Sequence, residues 1–393
     1  GVARGAFMDD HRFETREVHS HERRDPFGAL MPPIYANSTY EYASPTETKA
    51  GFRYSRDAVP TRTALEESFA NFEGGEYASA FASGMAAIDA VFTATLSAGD
   101  HVVAAENLYA ETHDLLTDVY ADYGVEMTHV PVTDTETIAD AMREETALVY
   151  FESPTNPVLN VGDIAAAAEV AHEHDAALAI DNTFASPYLQ RPLELGADVV
   201  VESLTKYQCG HSDAIAGAVA TNDSEIAEDV EYVQYRRGGI PSPFECFLVL
   251  RGMKTLSSRM DRHCENARAV VDALVANDHV TDVYYPGLES HENHDVAARQ
   301  MDDYGAMVAF ELEGDVDTVT AFAAGLEVIT LAESLGGVES LVEVPATMTH
   351  QDLSPSELAA AGIPETLVRL SVGTEHQADL VADVEGAIAA AFD

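Results

Sequence analysis

Short apolar runs alternate with helical segments between about residues 61 and 204, and this alternation restricts the fold more than any other feature of the sequence. Runs rich in Val, Ala and Ile predict buried strands, and the segments between them predict helices. Such an alternation is typical of an α/β fold with a mostly parallel sheet covered by helices on both faces. The predicted strands are Tyr77–Phe81, His101–Ala105, Val125–Val132, Ala147–Glu152, Ala177–Asp181 and Asp198–Leu204.

The remaining chain predicts an arm at one end and a second domain at the other. Residues 1–54 contain a proline-rich segment with little periodicity, which predicts an N-terminal arm that contacts a partner subunit. Packing over its own active site and a frayed terminus are the alternatives. Residues 55–250 form the predicted large domain. A long helical pattern from Ser242 to about Asn277 connects it to a smaller C-terminal α/β domain at 251–393. The strands predicted there lie near Val280–Tyr285, Met307–Leu312, Val328–Leu331 and Val368–Val372.

The charge of the chain restricts its partners. There are 68 acidic and 21 basic residues, a net charge of −47 spread along the whole length, and a surface of this charge repels nucleic acid and anionic membranes. Because only three of the basic residues are lysine, the composition predicts a protein of a high-salt, halophile-like cytoplasm, where screening reduces self-repulsion. No apolar run approaches a membrane span, and three cysteines without a paired pattern indicate a reducing, cytoplasmic compartment.

One of the three lysines, Lys206, lies two residues after Leu204, the end of a predicted strand. A lysine at a strand end inside a core is costly unless it is neutral or covalently used. A desolvated amine of this kind forms Schiff bases with carbonyls and with pyridoxal phosphate. The alternative is a strand-end lysine whose amine reaches water, but the scarcity of lysine favours a catalytic role.

Asp181 ends a neighbouring predicted strand, 25 residues before Lys206. This spacing suits side chains at the ends of adjacent parallel strands, the edge at which ligands bind in such sheets. A carboxylate placed there is able to pair with a protonated pyridine nitrogen. A turn or helix-capping aspartate is the alternative.

Ser83, Gly84 and Met85 lie where a short strand meets a helix. A glycine at that point allows a phosphate to approach the free N–H groups of the helix N-terminus. Ser203 and Thr205 would add hydroxyl donors to the same phosphate. Ordinary capping by serine is the alternative.

Three further residues suit a cofactor or a substrate. Tyr109 follows a predicted strand, where its ring could stack on a pyridine ring and its hydroxyl could move protons, or it is a core tyrosine. Asn156 either contacts the cofactor or shapes a proline turn. Arg369, within an apolar run of the second domain, predicts either a clamp for a substrate carboxylate or an internal salt bridge.

The sequence resembles the pyridoxal-phosphate enzymes of cysteine and methionine metabolism, the trans-sulfuration family with an aspartate-aminotransferase-like (type I) fold. The similarity runs from near residue 12 to the C-terminus. The motifs that carry it are PPIYANSTY, YSRDAVPTR, ASGMAAI, ESPTNP, AIDNTFASPYLQRPLELGADVV, SLTKYQCGHSD, SPFECFLVLRGMKTL, LAESLGGVESL, PATMTH and RLSVG.

The resemblance implies pyridoxal 5'-phosphate as the cofactor, a small amino acid as the substrate and a role for each matching residue. Lys206 is the implied Schiff-base lysine, Asp181 the partner of the pyridine nitrogen and Tyr109 the stacking ring. It also implies a homotetramer, a dimer of dimers with active sites shared between subunits. The implied phosphate site comprises Ser83, which is not strictly required, Gly84, Met85, Ser203 and Thr205, with Tyr54 and Arg56 from the neighbouring subunit. The implied substrate-carboxylate site comprises Asn156, Ser334 and Arg369.

Glu333 resembles the family members that handle cystathionine, because an acid there can meet the distal ammonium of that substrate. The resemblance therefore favours γ-replacement or γ-elimination by a cystathionine γ-synthase or γ-lyase, with O-acylhomoserine sulfhydrylase and methionine γ-lyase as alternatives. Asp114 stands where the family usually has an arginine, and an aspartate there would repel a distal carboxylate. Val59 and Val344 are further departures, and Arg236 and Arg237 are candidates to compensate.

Functions of other classes fit the sequence less well. No G-x-G-x-x-G follows a first strand, which disfavours a nicotinamide dehydrogenase. The pairs His172 with His174 and His291 with His294 lie in acidic stretches without cysteine ligands, which favours solvated surface over a metal site. A non-catalytic protein that binds pyridoxal phosphate remains an alternative that only a turnover assay separates.

Overall fold

The computed structural model describes residues 2–3, 11–22, 25–349, 358 and 362–393. Its strands, numbered β1 to β15, are Val2–Ala3, Tyr42–Ser44, Glu47–Thr48, Tyr77–Phe81, His101–Ala105, Glu126–Val130, Thr146–Glu152, Ala177–Asp181, Val199–Glu202, Gly217–Thr221, Val280–Tyr284, Met307–Leu312, Thr330–Leu331, Leu341–Glu343 and Leu367–Ser371. Its α-helices, numbered α1 to α13, are Phe13–Val18, Pro60–Glu73, Gly84–Thr95, Ala110–Asp114, Thr135–Ala141, Ile164–Glu173, Ser186–Leu189, Ser224–Arg237, Pro243–Met253, Leu256–Val275, His294–Gln300, Val316–Gly325 and Gln377–Phe392. A π-helical segment, Leu115–Tyr120, continues α4, and 3-10 turns lie at Pro192–Leu195 and Pro345–Thr347.

The central sheet has eight strands in the order β1-β4-β10-β9-β8-β7-β5-β6. Strands β9, β8, β7, β5 and β6 are parallel neighbours, whereas β10 is antiparallel to both β9 and β4. The prediction of a mostly parallel α/β sheet is therefore confirmed. The antiparallel strand β10 was not predicted.

Helices cover both faces of the central sheet. On one face α3, α6 and α8 pack on the strands around Phe92 and Val149, and on the other face α2, α9 and α10 pack around Leu65 and Val200. The inner strands β5, β7, β9 and β10 are buried on both faces, as their nearly continuous apolar runs require, whereas the edge strand β6 is partly exposed. These two cores hold the carboxyl ends of β4, β5, β7, β8 and β9 along one edge.

A second sheet, in the order β11-β12-β15-β14-β13, forms the C-terminal part of the chain. Helices α10, α12 and α13 pack on it around Phe310, Phe322 and Leu380. The predicted C-terminal α/β sheet is thereby confirmed. The helix predicted from Ser242 to about Asn277 is interrupted, because Thr255 has φ −131° and ψ 17° and so leaves the helical conformation between α9 and α10.

The predicted arm has two parts. Helix α1 packs against its own chain, where the ring of Phe13 lies 5.1 Å from that of Phe72 and Glu17 accepts a hydrogen bond from the Ser257 hydroxyl. The following segment, with the hairpin β2–β3, is largely exposed in this chain. His350 of the PATMTH motif and residues 1, 4–10 and 23–24 of the arm lie outside the described residues. In the part of the chain that the structure describes, no helix is long and apolar enough to cross a membrane.

Candidate active site

A cavity of about 480 Å³ opens at the carboxyl edge of the central sheet, beside the second sheet. It lies where parallel α/β sheets bind ligands, past the ends of the strands. The cavity brings together most of the residues singled out in the sequence. Those that line it are Ser83, Gly84, Met85, Tyr109, Asn156, Asp181, Ser203, Thr205, Lys206, Glu333, Ser334 and Arg369.

Lys206 reaches the cavity from the loop after β9. Its Nζ donates a hydrogen bond to Ser334 Oγ at 2.9 Å. Burial first, and then the charge of Arg369, lower the pKa of Lys206 to about 8, while the charges of Glu343 and Glu333 oppose the shift. A substantial fraction of the amine is therefore neutral near pH 8 and available as a nucleophile or base.

Arg259 of α10 holds the loop that carries Lys206. Its guanidinium donates to the carbonyls of Tyr207 at 2.7 Å and Gln208 at 3.3 Å. Gly210 closes this loop with φ +69°, and a side chain there would collide with the Arg259 guanidinium. The position of Lys206 thus depends on the contact between this loop and helix α10.

Asp181 ends β8, the strand directly beside the lysine strand β9. Its Oδ1 accepts a hydrogen bond from the backbone N–H of Thr183 at 2.9 Å. Burial raises the pKa of the Asp181 carboxyl, and the hydrogen bonds from Thr183 oppose this rise. A cationic ring nitrogen bound beside Asp181 would favour the carboxylate form.

The N-terminus of α3 forms one wall of the cavity. Ser83 is the N-cap, and its hydroxyl accepts the N–H of Ala86 at 3.1 Å, so the capping interpretation of this serine is correct. A side chain at Gly84 would come within 2.9 Å of Ser203 Cβ, which explains why a glycine stands there. The first N–H groups of α3 have no partner within the helix and are able to bind an anion.

Thr205 also lines the cavity, and its hydroxyl is hydrogen-bonded to the backbone of Ala216. The Thr205 Oγ1 accepts the N–H of Ala216 at 3.1 Å and lies 3.2 Å from the Ala216 carbonyl. This bond joins the lysine loop to the residues before β10. Binding of a phosphate by Thr205 stays a prediction.

Tyr109 is the N-cap residue of α4, and its side chain is 39% exposed in this chain. Its backbone N–H donates to Glu152 Oε1 at 2.6 Å. Burial raises the pKa of the Tyr109 hydroxyl, as do the nearby charges of Glu111 and Glu333. The hydroxyl is therefore a proton donor at neutral pH.

Arg369 comes to the cavity from β15 and has three partners. Its guanidinium donates to Asn156 Oδ1 at 2.7 Å and to the Ser334 carbonyl at 3.2 Å, and it pairs with Glu343 at 2.8 Å. The internal salt bridge considered for Arg369 therefore exists. The Arg369 Nε has no hydrogen-bond partner within the described ranges, and the guanidinium also lines the cavity, so binding of a substrate carboxylate stays a prediction.

Tyr54 and Arg56 do not line the cavity of this chain. The Arg56 guanidinium lies over the rings of Tyr54 and Tyr235, at 5.2 and 4.9 Å from their centroids. Their predicted role in a neighbouring subunit stays a prediction.

The candidates to compensate for the missing arginine lie outside the cavity as well. Arg237 pairs with Asp89, and the Arg236 guanidinium lies 5.0 Å from the Tyr232 ring centroid. Asp114 is exposed beside His113. The described cavity therefore lacks both the family arginine and a substitute from this pair.

The four histidines considered as metal ligands have other contacts. His172 bonds to Asp198, His174 to the Val170 carbonyl, His291 to the Leu159 carbonyl and His294 to the Pro286 carbonyl. Among the residues that the structure describes, no group of three or more His, Cys, Asp and Glu side chains is arranged to hold a metal ion.

Comparison with known proteins places this cavity in a family. A model of the family described as "Cys/Met metabolism PLP-dependent enzyme" matches residues 14–389. The chain belongs to the Cys/Met metabolism family of pyridoxal-phosphate-dependent enzymes. The predicted type I fold, enzymatic nature and cofactor are thereby confirmed.

Several curated relatives within the family cover nearly the whole chain. Cystathionine γ-synthase of Mycobacterium tuberculosis is 46% identical over 375 residues, which are 95% of this chain and 96% of the relative. Cystathionine γ-lyase of Dictyostelium discoideum is 42% identical, covering 97% and 98%, and cystathionine β-lyase of Lactococcus lactis is 44% identical, covering 95% and 98%.

Solved structures of the family superpose closely on this fold. The metB protein of Corynebacterium glutamicum has a TM-score of 0.94 at 44% identity, with 96% of this chain and 98% of that chain covered. Cystathionine γ-lyase of Lactobacillus plantarum, in complex with L-serine, has a TM-score of 0.93 at 42% identity, with 97% and 100% covered.

The residues present fit the cofactor of the family. The cavity contains an amine with a lowered pKa, a carboxyl at the end of the neighbouring strand β8 and a helix N-terminus that a glycine leaves accessible. Lys206 would hold the aldehyde carbon, Asp181 the ring nitrogen, and α3 with Ser203 the phosphate. The individual roles stay predictions, but the set of donor groups agrees with the family cofactor.

Sequence reasoning missed two acids of the site, Glu152 and Glu343. Glu152 ends β7 and lines the cavity, and Glu343 pairs with Arg369. Both stand within apolar strands, at positions where an acid must be buried. An acid inside an otherwise apolar strand, the same pattern that singled out Asp181, therefore indicated both residues as candidates for the site.

Proposed function

We propose that this enzyme catalyses γ-replacement or γ-elimination on homoserine-derived sulfur amino acids, as a cystathionine γ-synthase or γ-lyase. The observation that carries the proposal is Glu333, whose side chain lines the same cavity as Lys206 and Arg369. An acid in this cavity is suited to the distal ammonium of cystathionine, while Arg369 takes the α-carboxylate at the near end. The names of the γ-synthase and γ-lyase relatives support it.

In the proposed mechanism, residues of this chain orient the substrate and move its protons. Arg369, held by Asn156 and the Ser334 carbonyl, binds the α-carboxylate. Bound pyridoxal phosphate supplies an electron sink for the charge that develops beside the substrate amine. Lys206 Nζ removes the proton from Cα and then, once neutral again, a proton from Cβ. The electron pair left at Cβ expels the group on Cγ, and that group takes a proton from the Tyr109 hydroxyl. A cysteine thiol then adds at Cγ to give cystathionine, which is γ-replacement. Alternatively, hydrolysis gives a 2-oxo acid and ammonia, which is γ-elimination.

The charges around the cavity favour a substrate whose distal arm is cationic or neutral. Within the lining that the structure describes, the basic residues are Lys206 and Arg369, and both are assigned to other tasks. Glu333 and Glu111 place negative charge near Tyr109. If the enzyme is a synthase, we therefore infer that a homoserine ester with an uncharged acyl group is used faster than one with an anionic acyl group.

The alternative activities keep the same cofactor chemistry. O-acylhomoserine sulfhydrylase and methionine γ-lyase would not need Glu333 at a distal ammonium. The β-lyase among the relatives adds cleavage of cystathionine on the other side of its sulfur. A non-catalytic protein that binds the cofactor would give no product at all.

A product assay by mass spectrometry, in concentrated potassium salt with added pyridoxal phosphate, tests the proposal. One sample contains an O-acylhomoserine with cysteine, and the other contains cystathionine alone. Cystathionine formed in the first indicates a synthase, and cysteine with a 2-oxo acid and ammonia in the second indicates a γ-lyase. Homocysteine with pyruvate in the second would overturn the γ-assignment in favour of β-cleavage.

We further propose a homotetramer of two tight dimers, with Tyr54 and Arg56 completing the phosphate site of the neighbouring subunit. The exposure of the segment around Tyr54, which is 42% exposed in this chain, supports this. The domain bounds 1–54, 55–250 and 251–393 and a cytoplasmic location belong to the same proposal. Light scattering that gives the mass of four chains would support the tetramer, and the mass of one chain would contradict it.

A further inference from the structure

Glu152 is a buried acid of the cavity to which the mechanism above assigns no task. It is the last residue of β7, and it is 6% exposed. Its Oε1 accepts the backbone N–H of Tyr109 at 2.6 Å, a short bond across 43 positions of the chain. This bond joins the end of β7 to the start of α4, where the ring of Tyr109 faces the cavity.

Glu152 also lies directly beside Asp181. The two residues are paired in the register of the parallel strands β7 and β8, at neighbouring positions roughly 4.8 Å apart. Two carboxylates so close in a buried site do not both ionise without a large cost. One of the two acids must therefore hold a proton.

The surrounding groups decide which acid is neutral. Lys206 donates to Ser334, and Arg369 pairs with Glu343, so neither cation is engaged with Glu152. A protonated ring nitrogen beside Asp181 would favour the ionised form of Asp181. The proton then belongs on Glu152, and as a neutral acid it still accepts the Tyr109 N–H through its carbonyl oxygen.

We propose that Glu152 is a positioning residue which, as a neutral carboxylic acid, fixes the backbone of Tyr109 against the cofactor site and leaves Asp181 as the single negative charge beside the ring nitrogen. This assignment rests on the cofactor site of the family and holds for either a synthase or a lyase. It predicts that an amide at position 152 still holds the backbone of Tyr109, whereas a side chain too short to reach the Tyr109 N–H does not.

The electrostatic surroundings agree with the geometry. Burial first, and then the charge of Asp181, raise the pKa of Glu152 to about 8 against the opposing effect of the backbone hydrogen bonds from Tyr109 and Asn156. At neutral pH the acid is therefore mostly protonated.

The test compares three variants in cofactor binding without any substrate. Glu152→Gln keeps the acceptor and removes the titration, Glu152→Ala removes the acceptor, and Glu152→Asp keeps a carboxyl but is one methylene too short. The readouts are the dissociation constant of pyridoxal phosphate from the full-length chain and the visible circular dichroism of the bound cofactor, which reports its orientation. Thermal unfolding of the cofactor-free protein shows whether each variant folds.

We expect Glu152→Gln to bind the cofactor within about threefold of the parent and to keep its dichroism, because its carbonyl accepts the Tyr109 N–H. Glu152→Ala and Glu152→Asp should bind about tenfold more weakly, with reduced dichroism. Glu145→Gln, at an exposed acid before the other end of β7, is the matched control and should change neither readout.

Two results would overturn the proposal. If Glu152→Gln loses affinity as severely as Glu152→Ala, the site needs a charge and not a neutral acceptor. If Glu152→Ala and Glu152→Asp both behave like the parent, Glu152 does not position Tyr109. Should Glu152→Ala fail to fold, the comparison of Gln with Asp decides alone. No substrate is present, so failure of the synthase or lyase assignment leaves this test intact.

Discussion

Lys206 combines a position inside a cavity with an amine that is partly neutral near physiological pH. Burial is the main cause of its lowered pKa, and the neighbouring Arg369 adds to it. The chain has only two other lysines, Lys49 and Lys254. This scarcity makes the reactivity of a single amine measurable without a mutation.

We predict that acylation of Lys206 in the cofactor-free protein is half-maximal near pH 8. Only the neutral amine reacts, so labelling should rise as the pH rises through that value. Competitive labelling with a small acylating reagent, resolved by peptide mass spectrometry, measures the profile with Lys49 as an internal reference. A midpoint for Lys206 above pH 10 would contradict the buried environment described here.

Arg369 contacts Asn156, the Ser334 carbonyl and Glu343, and in the proposed function its guanidinium binds the substrate carboxylate in the orientation that these contacts set. Replacement by lysine keeps the charge but removes the planar fork. We predict that Arg369→Lys raises KM for the amino-acid substrate by about 10- to 100-fold, since hydrogen bonds to charged groups contribute roughly 1.5–3 kcal/mol. Steady-state kinetics test this, and an unchanged KM would remove Arg369 from the substrate site.

At the scale of elements, the loop after β9 is held from outside by α10. Arg259 binds two carbonyls of this loop, and Gly210 provides the positive φ that lets the loop pass beneath the guanidinium. The loop is therefore sensitive to any side chain at Gly210, and Lys206 shares that sensitivity.

We predict that Gly210→Ala lowers the thermal midpoint of unfolding more than Gly362→Ala does. Gly362 has nearly the same φ, +66°, but no atom of the described residues lies within 4 Å of the added methyl group, whereas at Gly210 the methyl collides with Arg259. Both variants bear a backbone cost of about 1 kcal/mol, and the collision adds roughly 1–3 kcal/mol. Differential scanning calorimetry measures both midpoints, and equal shifts would show that the Arg259 contact does not restrict the loop.

The whole molecule carries a net charge of −47, which disfavours compaction unless the solvent screens it. The acids are spread along the chain and are not concentrated at the cavity. Screening in concentrated salt shortens the range of their repulsion to a few ångströms, roughly 3 Å at 1 M. The stability of this enzyme should therefore depend on ionic strength more than that of an ordinary protein.

We predict that the thermal midpoint falls when potassium chloride is reduced from about 2 M to about 0.1 M, because the Debye length grows to roughly 10 Å. Circular dichroism at the two salt concentrations measures this, with added pyridoxal phosphate held constant. An unchanged midpoint would show that the acidic surface is not an adaptation to salt.

The sequence by itself determined the α/β architecture and most of the candidate site. Strand positions such as Ala177–Asp181 follow from local apolar patterning, and reactive side chains at strand ends meet because parallel strands end at one edge. Lys206 and Asp181 were predictable for this reason.

Only the tertiary structure decided how those side chains are held. The bond between Glu152 and Tyr109, the grip of Arg259 on the lysine loop and the pairing of Arg369 with Glu343 each join segments far apart in the chain. Periodicity reports the neighbours of a residue within its own element, but the partner of a buried charge depends on which strands pair and which helices pack on them. Local sequence patterns were therefore sufficient to predict the fold. The orientation of the site residues and the protonation of their side chains depend on contacts that only the tertiary structure shows.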